Sequence, residues 1–142
     1  IGTISRNCWF DSFGFRKVPF AFSSSGLLYN HESGTDDAGS AISAHITSSP
    51  IEIDSAGNNL MLVDKIIPDI TMTGSLSCTV LSKKYPNDST ITKGPFTIQS
   101  DTAKISMRSR GRQVSLKLES TSLGDSWSFG DFRMNSRQDG LR

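Results

Sequence analysis

The sequence predicts an all-β chain, with a β-sandwich of immunoglobulin-like or jelly-roll-like type over residues 44–142. Apolar and polar residues alternate through short segments such as "GSLSCTVLSKKY", the period of a half-buried strand. Those segments recur about every ten residues, with polar turns between them, as in sandwiches. No stretch keeps a helical period, and the 142 residues are rich in Ser, Thr and Gly but poor in Ala, Glu and Leu. This length is one domain or slightly less than two, enough to bury a core without disulfides.

Residues 1–43 form a separate region by composition. The first 29 residues carry Trp9, Phe10, Phe13, Phe15, Phe20, Phe22 and Tyr29, punctuated by Gly14, Pro19 and Gly26. They read as short strands, with Phe20 and Phe22 on one face and "SSSG" as a turn. They fit part of a β-propeller blade or an extended arm. Aromatic residues at period two predict core rather than a ligand platform. Residues 30–43, "NHESGTDDAGSAIS", have no period and predict a long loop, a usual place for function or an interface.

Each later element has its own signal. In "AHITSSPIEID", Ile51 and Ile53 face one way and Glu52 and Asp54 the other, and "SAGNN" is a turn. "LMLVDKIIPDI" is a strongly apolar strand whose Pro68 marks its end or an edge. The next strand puts Leu76, Cys78 and Val80 on one face, and "PNDST" turns the chain. "PFTIQS" and "AKISMRS" are short strands, followed by "GRQVSLKLES" and "SWSFGDFRMNSRQ".

One break in parity stands out. Inward positions run Ile105 and Met107, then Val114, Leu116 and Leu118. A continuous strand cannot change parity without exposing one set. Gly111 is therefore expected in a tight turn or bulge, with one strand ending near Arg108 and the next starting near Arg112. Arg108, Arg110 and Arg112 would then cluster at one corner. Arginine forks suit phosphate, or carboxylates of this chain or a neighbouring copy, and a solvated corner is the plain alternative.

Charge is balanced but uneven. Net charge is +1, yet residues 30–70 hold seven acids and one base, and residues 101–142 hold eight bases and five acids. Surfaces of opposite sign suit head-to-tail assembly. Glu32, Asp36 and Asp37 are thus candidate contacts with Arg108, Arg110 and Arg112 across subunits. His31 and these acids could also suit calcium, though the spacing is not that of an EF-hand and a solvated loop explains them. No P-loop, G-x-S-x-G or HExxH motif occurs, so no catalytic residue, metal or cofactor is assigned. Cys8 and Cys78 either pair across the sheets or, the favoured reading, are buried free thiols. No apolar run approaches the length of a membrane span. The start at Ile1 suggests a piece of a longer polypeptide. "NDS" at 87–89 fits a glycosylation acceptor but has no secretory context.

Several stretches, in order, resemble the C-terminal region of tail-nozzle or packaged-DNA-stabilisation proteins of short-tailed bacteriophages. They are "YNHESGTDD", "ITSSPIEID", "LMLVDKIIPDI", "GSLSCTVLSKKYP", "RSRGRQVSLKLES" and "SWSFGDFRMNSRQDGLR", spanning residues 29–142. The most specific are the Arg-x-Arg-Gly-Arg-Gln segment and the ending, where Trp127, Gly130 and Arg133 lead to Asp139-Gly140. The resemblance implies a non-enzymatic virion protein in the phage tail. It would form a homo-oligomeric ring, commonly a hexamer, below portal and adaptor proteins. Packaged DNA would pass through without sequence-specific contact and be helped to stay inside. Residues 1–43 would close a propeller-like region. Charge reversal at Arg110 and Arg112 would block ring assembly and spare the fold. A carbohydrate-binding module of a tail or secreted protein is the rival reading, and it requires exposed aromatics on a strand face.

Overall fold

A computed structural model describes residues 6–12, 14, 17–54 and 57–141. Phe13 and Phe15 of the aromatic stretch, Ser55 and Ala56 of the expected turn, and Arg142 of the ending lie outside them. The described residues are all β. They hold antiparallel sheets and no helix, hence no helix long and apolar enough to cross a membrane. The chain forms two compact units, residues 1–40 and 41–142.

The first unit is a meander of β1 (Arg6–Phe10), β2 (Phe20–Ser23) and β3 (Leu28–Asn30), paired in that order. Its register sets Cys8 opposite Phe22, Phe10 opposite Phe20, and Phe22 opposite Leu28, so these side chains share one face. The sequence led us to expect core here, and the structure differs: Phe10 is 46% exposed and Phe22 39%. Alternation says which side chains share a face, not whether another layer covers it. The expected loop at 30–43 is also partly ordered, because β4 (Asp36–Asp37) and β5 (Ser40–Ala41) form a two-stranded ribbon. Ala38 and Gly39 both take positive φ in its turn, which the Asp36 carboxylate caps by accepting the Gly39 N–H at 2.8 Å.

The second unit holds β6 (Ala44–Thr47), β7 (Met61–Thr73), β8 (Leu76–Lys83), β9 (Ile91–Ile98), β10 (Ile105–Gly111), β11 (Gln113–Ser120) and β12 (Ser126–Gln138). They make two sheets, ordered β10-β7-β12 and β6-β11-β8-β9. Both sheets supply one core. Met61, Val63, Ile66 and Ile105 come from the first, and Leu76, Cys78, Val80, Ile98, Val114, Leu116 and Leu118 from the second. Trp127 packs against that core and donates its indole N–H to Ser120 Oγ at 2.9 Å, satisfying the polar end of a large apolar ring.

β7 runs through Pro68 as one 13-residue strand. Its partner β10 stops at Ile66, so beyond that point only β12 pairs with β7, and a residue lacking N–H is tolerated at the open edge. β7 itself changes parity. Lys65 and Val63 face Asn135 and Ser136, consecutive residues of β12, so Asp64 is a bulge that turns the inward set from Met61 and Val63 to Ile66.

The parity break in "SMRSRGRQVSL" also has its explanation. β10 does not end near Arg108 but continues to Gly111, with Ile105, Ser109 and Gly111 buried and Arg108 and Arg110 outward. At Gly111 and Arg112 the chain leaves one sheet and enters β11 of the other, so inward parity changes there. Gly111 is needed for close approach: a Cβ would sit 2.8 Å from the Lys83 carbonyl oxygen. That carbonyl already accepts the Arg112 N–H at 2.8 Å. Gly111→Ala should therefore cost roughly 1–3 kcal/mol. Urea unfolding checks it; an unchanged midpoint would mean the crossing relaxes freely.

Candidate functional site

The arginine corner is held by the chain's own ending. Past β12, Asp139 donates its N–H to the Leu60 carbonyl and Leu60 donates to the Gly140 carbonyl, both at 2.8 Å. The ladder against β7 is thus extended by a strap, residues 139–141. Arg110 grips the strap twice, with Nε to Asp139 Oδ2 at 2.6 Å and Nη2 to the Asp139 carbonyl at 2.7 Å. Arg112 bridges two loops. Its Nη2 donates to the Leu141 carbonyl at 2.9 Å, and its Nη1 to the carbonyls of Gly57, at 3.3 Å, and Asn58. Its guanidinium also lies 5.2 Å from the Tyr85 ring centroid. Two forks so arranged fix four backbone carbonyls and one carboxylate. Arg108 is exposed on the same face of β10 as Arg110.

The three acids predicted as their partners lie in the first unit. Glu32 is exposed with positive φ, Asp36 caps the ribbon turn, and Asp37 pairs with Arg6. Arg6 also lies 4.3 Å from the Tyr29 ring centroid. His31 packs on Trp9, ring centroids 4.4 Å apart, and Trp9 donates its N–H to the Arg6 carbonyl at 3.1 Å. Sequence reasoning missed this cluster, because Arg6 drew no attention without its partners. Elsewhere Glu52 accepts from Gln113, Asp54 from Asn58 and Asn59, and Asp64 from Asn135. Much of the acidic stretch therefore already has contacts within the chain. Among the described residues, no three His, Cys, Asp or Glu side chains gather to hold a metal ion.

A cavity of about 90 Å³ lies between the sheets of the second unit, lined mainly by apolar groups including Ile66, Ile70, Cys78, Leu116, Leu118 and Phe132. Its walls offer almost no hydrogen bonding, so a polar ligand would lose its hydration without return. Both cysteines are free, Cys78 buried but Cys8 exposed, against the expectation of two buried thiols. Burial pushes the Cys78 thiol from 9.0 up to about 11. A disulfide reagent at pH 8 should find one reactive thiol per native chain and both in urea; two at once in the native protein would contradict the burial. The same shift makes stability fall as pH rises from 9.0 toward about 11, where the unfolded thiol ionises before the folded one.

No protein-family model matches the chain, and no curated protein matches it.

Proposed function

We propose that the chain is a structural, non-enzymatic component of a short-tailed bacteriophage tail, a virion protein. We read its second unit as a β-sandwich of immunoglobulin-like or jelly-roll-like kind, and its first as the close of a propeller-like region. In this reading six copies form a ring below portal and adaptor proteins. The ring extends the DNA channel and helps retain the packaged genome. One observation carries the reading beyond the order of the motifs. The two most specific segments of the resemblance, the arginine segment and the Asp139-Gly140 ending, bind each other through Arg110. Both therefore belong to one structural unit, so their joint occurrence has a physical reason.

The proposed subunit contact still uses Arg108, Arg110 and Arg112 against Glu32, Asp36 and Asp37. Because Arg110 and Arg112 also hold the chain's own strap, reversing them would disturb the ending as well as any interface. Arg108, exposed beside them, is the fold-neutral probe. Negative-stain electron microscopy of the purified chain tests the reading. It predicts rings with an axial opening, lost on Arg108→Glu; dispersed particles at every concentration would contradict it.

A second reading has its own observation. Trp9 is 50% exposed and Phe10 46%, and exposed rings of this kind suit sugar stacking. Phe10 and Phe20 are stacked at 12°, but Phe22 stands at 84° and 81° to them, so the three rings do not form one flat platform. Dispersed particles that bind an oligosaccharide, with the binding lost on Trp9→Ala, would favour a carbohydrate-binding module.

A further inference from the structure

We propose that the outer face of the sheet β10-β7-β12 at the arginine corner is a binding surface for the phosphate backbone of nucleic acid. In this proposal the Asp139 carboxylate occupies the place of one phosphate. The inference stands on the patch itself and not on the tail reading: phosphate is an alternative to a neighbouring copy's acids for Arg108 and Arg110, and the test below separates the two. Arg110 and Arg137 are the cross-strand neighbours of Leu62 on either side, so the three share one outward row. Leu62 is only 2% exposed although it lies on this face, as expected if the aliphatic stems of its arginine neighbours lie over it. Stems lying over Leu62 would present their guanidinium heads outward with part of their ordering already done.

Spacing sets the ligand class. Arg108 and Arg110 are alternate residues of one strand, about 7 Å apart, and Arg110 and Arg137 are separated by two strand spacings, about 10 Å. Arg112 stands next along the chain at the corner. Phosphates of one nucleic-acid strand follow at about 3.4 Å of helix axis each, so arginines this far apart can each meet a different phosphate of one backbone. Asp69 and Asp131 are exposed on the same sheet, but toward the other end of β7 and β12, away from the corner. Asp64 accepts from Asn135 at 2.8 Å, and Asp139 lies in the Arg110 fork. That fork already shows the chemistry required, a planar pair of N–H donors closed on anionic and carbonyl oxygen. A phosphate oxygen has the charge and acceptor geometry to replace the carboxylate, so the strap competes with the ligand for Arg110.

The test uses the whole chain and a fluorescently labelled 30-base-pair DNA duplex, read by anisotropy from 50 to 200 mM salt. Asp139→Asn removes the competing charge but keeps the backbone bonds of the strap. It should tighten binding about tenfold at 50 mM salt, where screening is weakest. The logarithm of affinity should fall against that of salt with a slope of about −3, for three to four phosphates neutralised. Arg108→Glu with Arg137→Glu, both exposed and without a bond to the strap, should abolish binding while circular dichroism stays unchanged. An Asp139→Asn chain that binds no tighter than the parent would overturn the proposal. So would binding that survives the double arginine reversal. A rise in native mass on Asp139→Asn without DNA binding would also overturn it and assign the face to a second copy's acids.

Discussion

Leu116→Ala will cost about 3–5 kcal/mol of folding stability. Leu116 lies on β11, an interior strand of the four-stranded sheet, and is buried in the shared core. Its backbone is already engaged: its N–H donates to Ser48 Oγ at 3.0 Å and its carbonyl accepts from Ser48 at 2.8 Å. Alanine leaves those bonds intact, so the loss is one of packing. Leu116 also lines the existing cavity of about 90 Å³. Truncation enlarges a cleft that already opens past the half-exposed Ile46. The lost packing of the buried side chain places the cost within the range of such substitutions. Leu116→Met, which nearly conserves volume, should cost under about 1.5 kcal/mol. Urea unfolding of both variants measures the contrast. A cost near 1 kcal/mol for alanine would mean that the two sheets close over the gap.

Arg112→Ala should cost about 2 kcal/mol, and lysine should not rescue it. The side chain is half-buried and donates to carbonyls in two separate segments, at 57–58 and at 141. Bonds from a charged donor contribute about 1.5–3 kcal/mol each when sheltered, and solvent at this corner reduces that. Lysine keeps the charge, but its single nitrogen cannot span both segments as a planar fork does. Hydrogen exchange locates the effect: the amide of Leu60, which donates to the Gly140 carbonyl, should lose protection in both variants. Full protection and stability in Arg112→Lys would mean that charge alone holds the strap.

These two sites mark what the residues alone could and could not foretell. The inward row Val114, Leu116 and Leu118 was legible, because period two over one buried face is a local pattern. So were Leu76, Cys78 and Val80, and the turn at Gly111. The end of β10 was misplaced because charge on Arg108 and Arg110 looks like a turn, whereas each occupies the outward side of a strand whose inward side is buried. The bulge at Asp64 was hidden, since "LMLVDKII" is apolar on both parities and hides the change. The partners of the arginine corner were not legible at all. Arg110 meets a residue 29 positions later, and Arg112 reaches one 54 positions earlier. Contacts of that separation depend on which strands share a sheet, and no local period encodes it. The exposed phenylalanines teach the complementary lesson, that a stripe predicts a shared face and leaves its cover open.

The central claim is that copies of this chain close into a ring. Light scattering after gel filtration gives its native mass, at 50 mM salt and again at 1 M salt to screen surface charge. The account predicts a single multimer of fixed stoichiometry at low salt, shifted toward smaller species at high salt or by Arg108→Glu. A monomer at both salts and at all concentrations would contradict it.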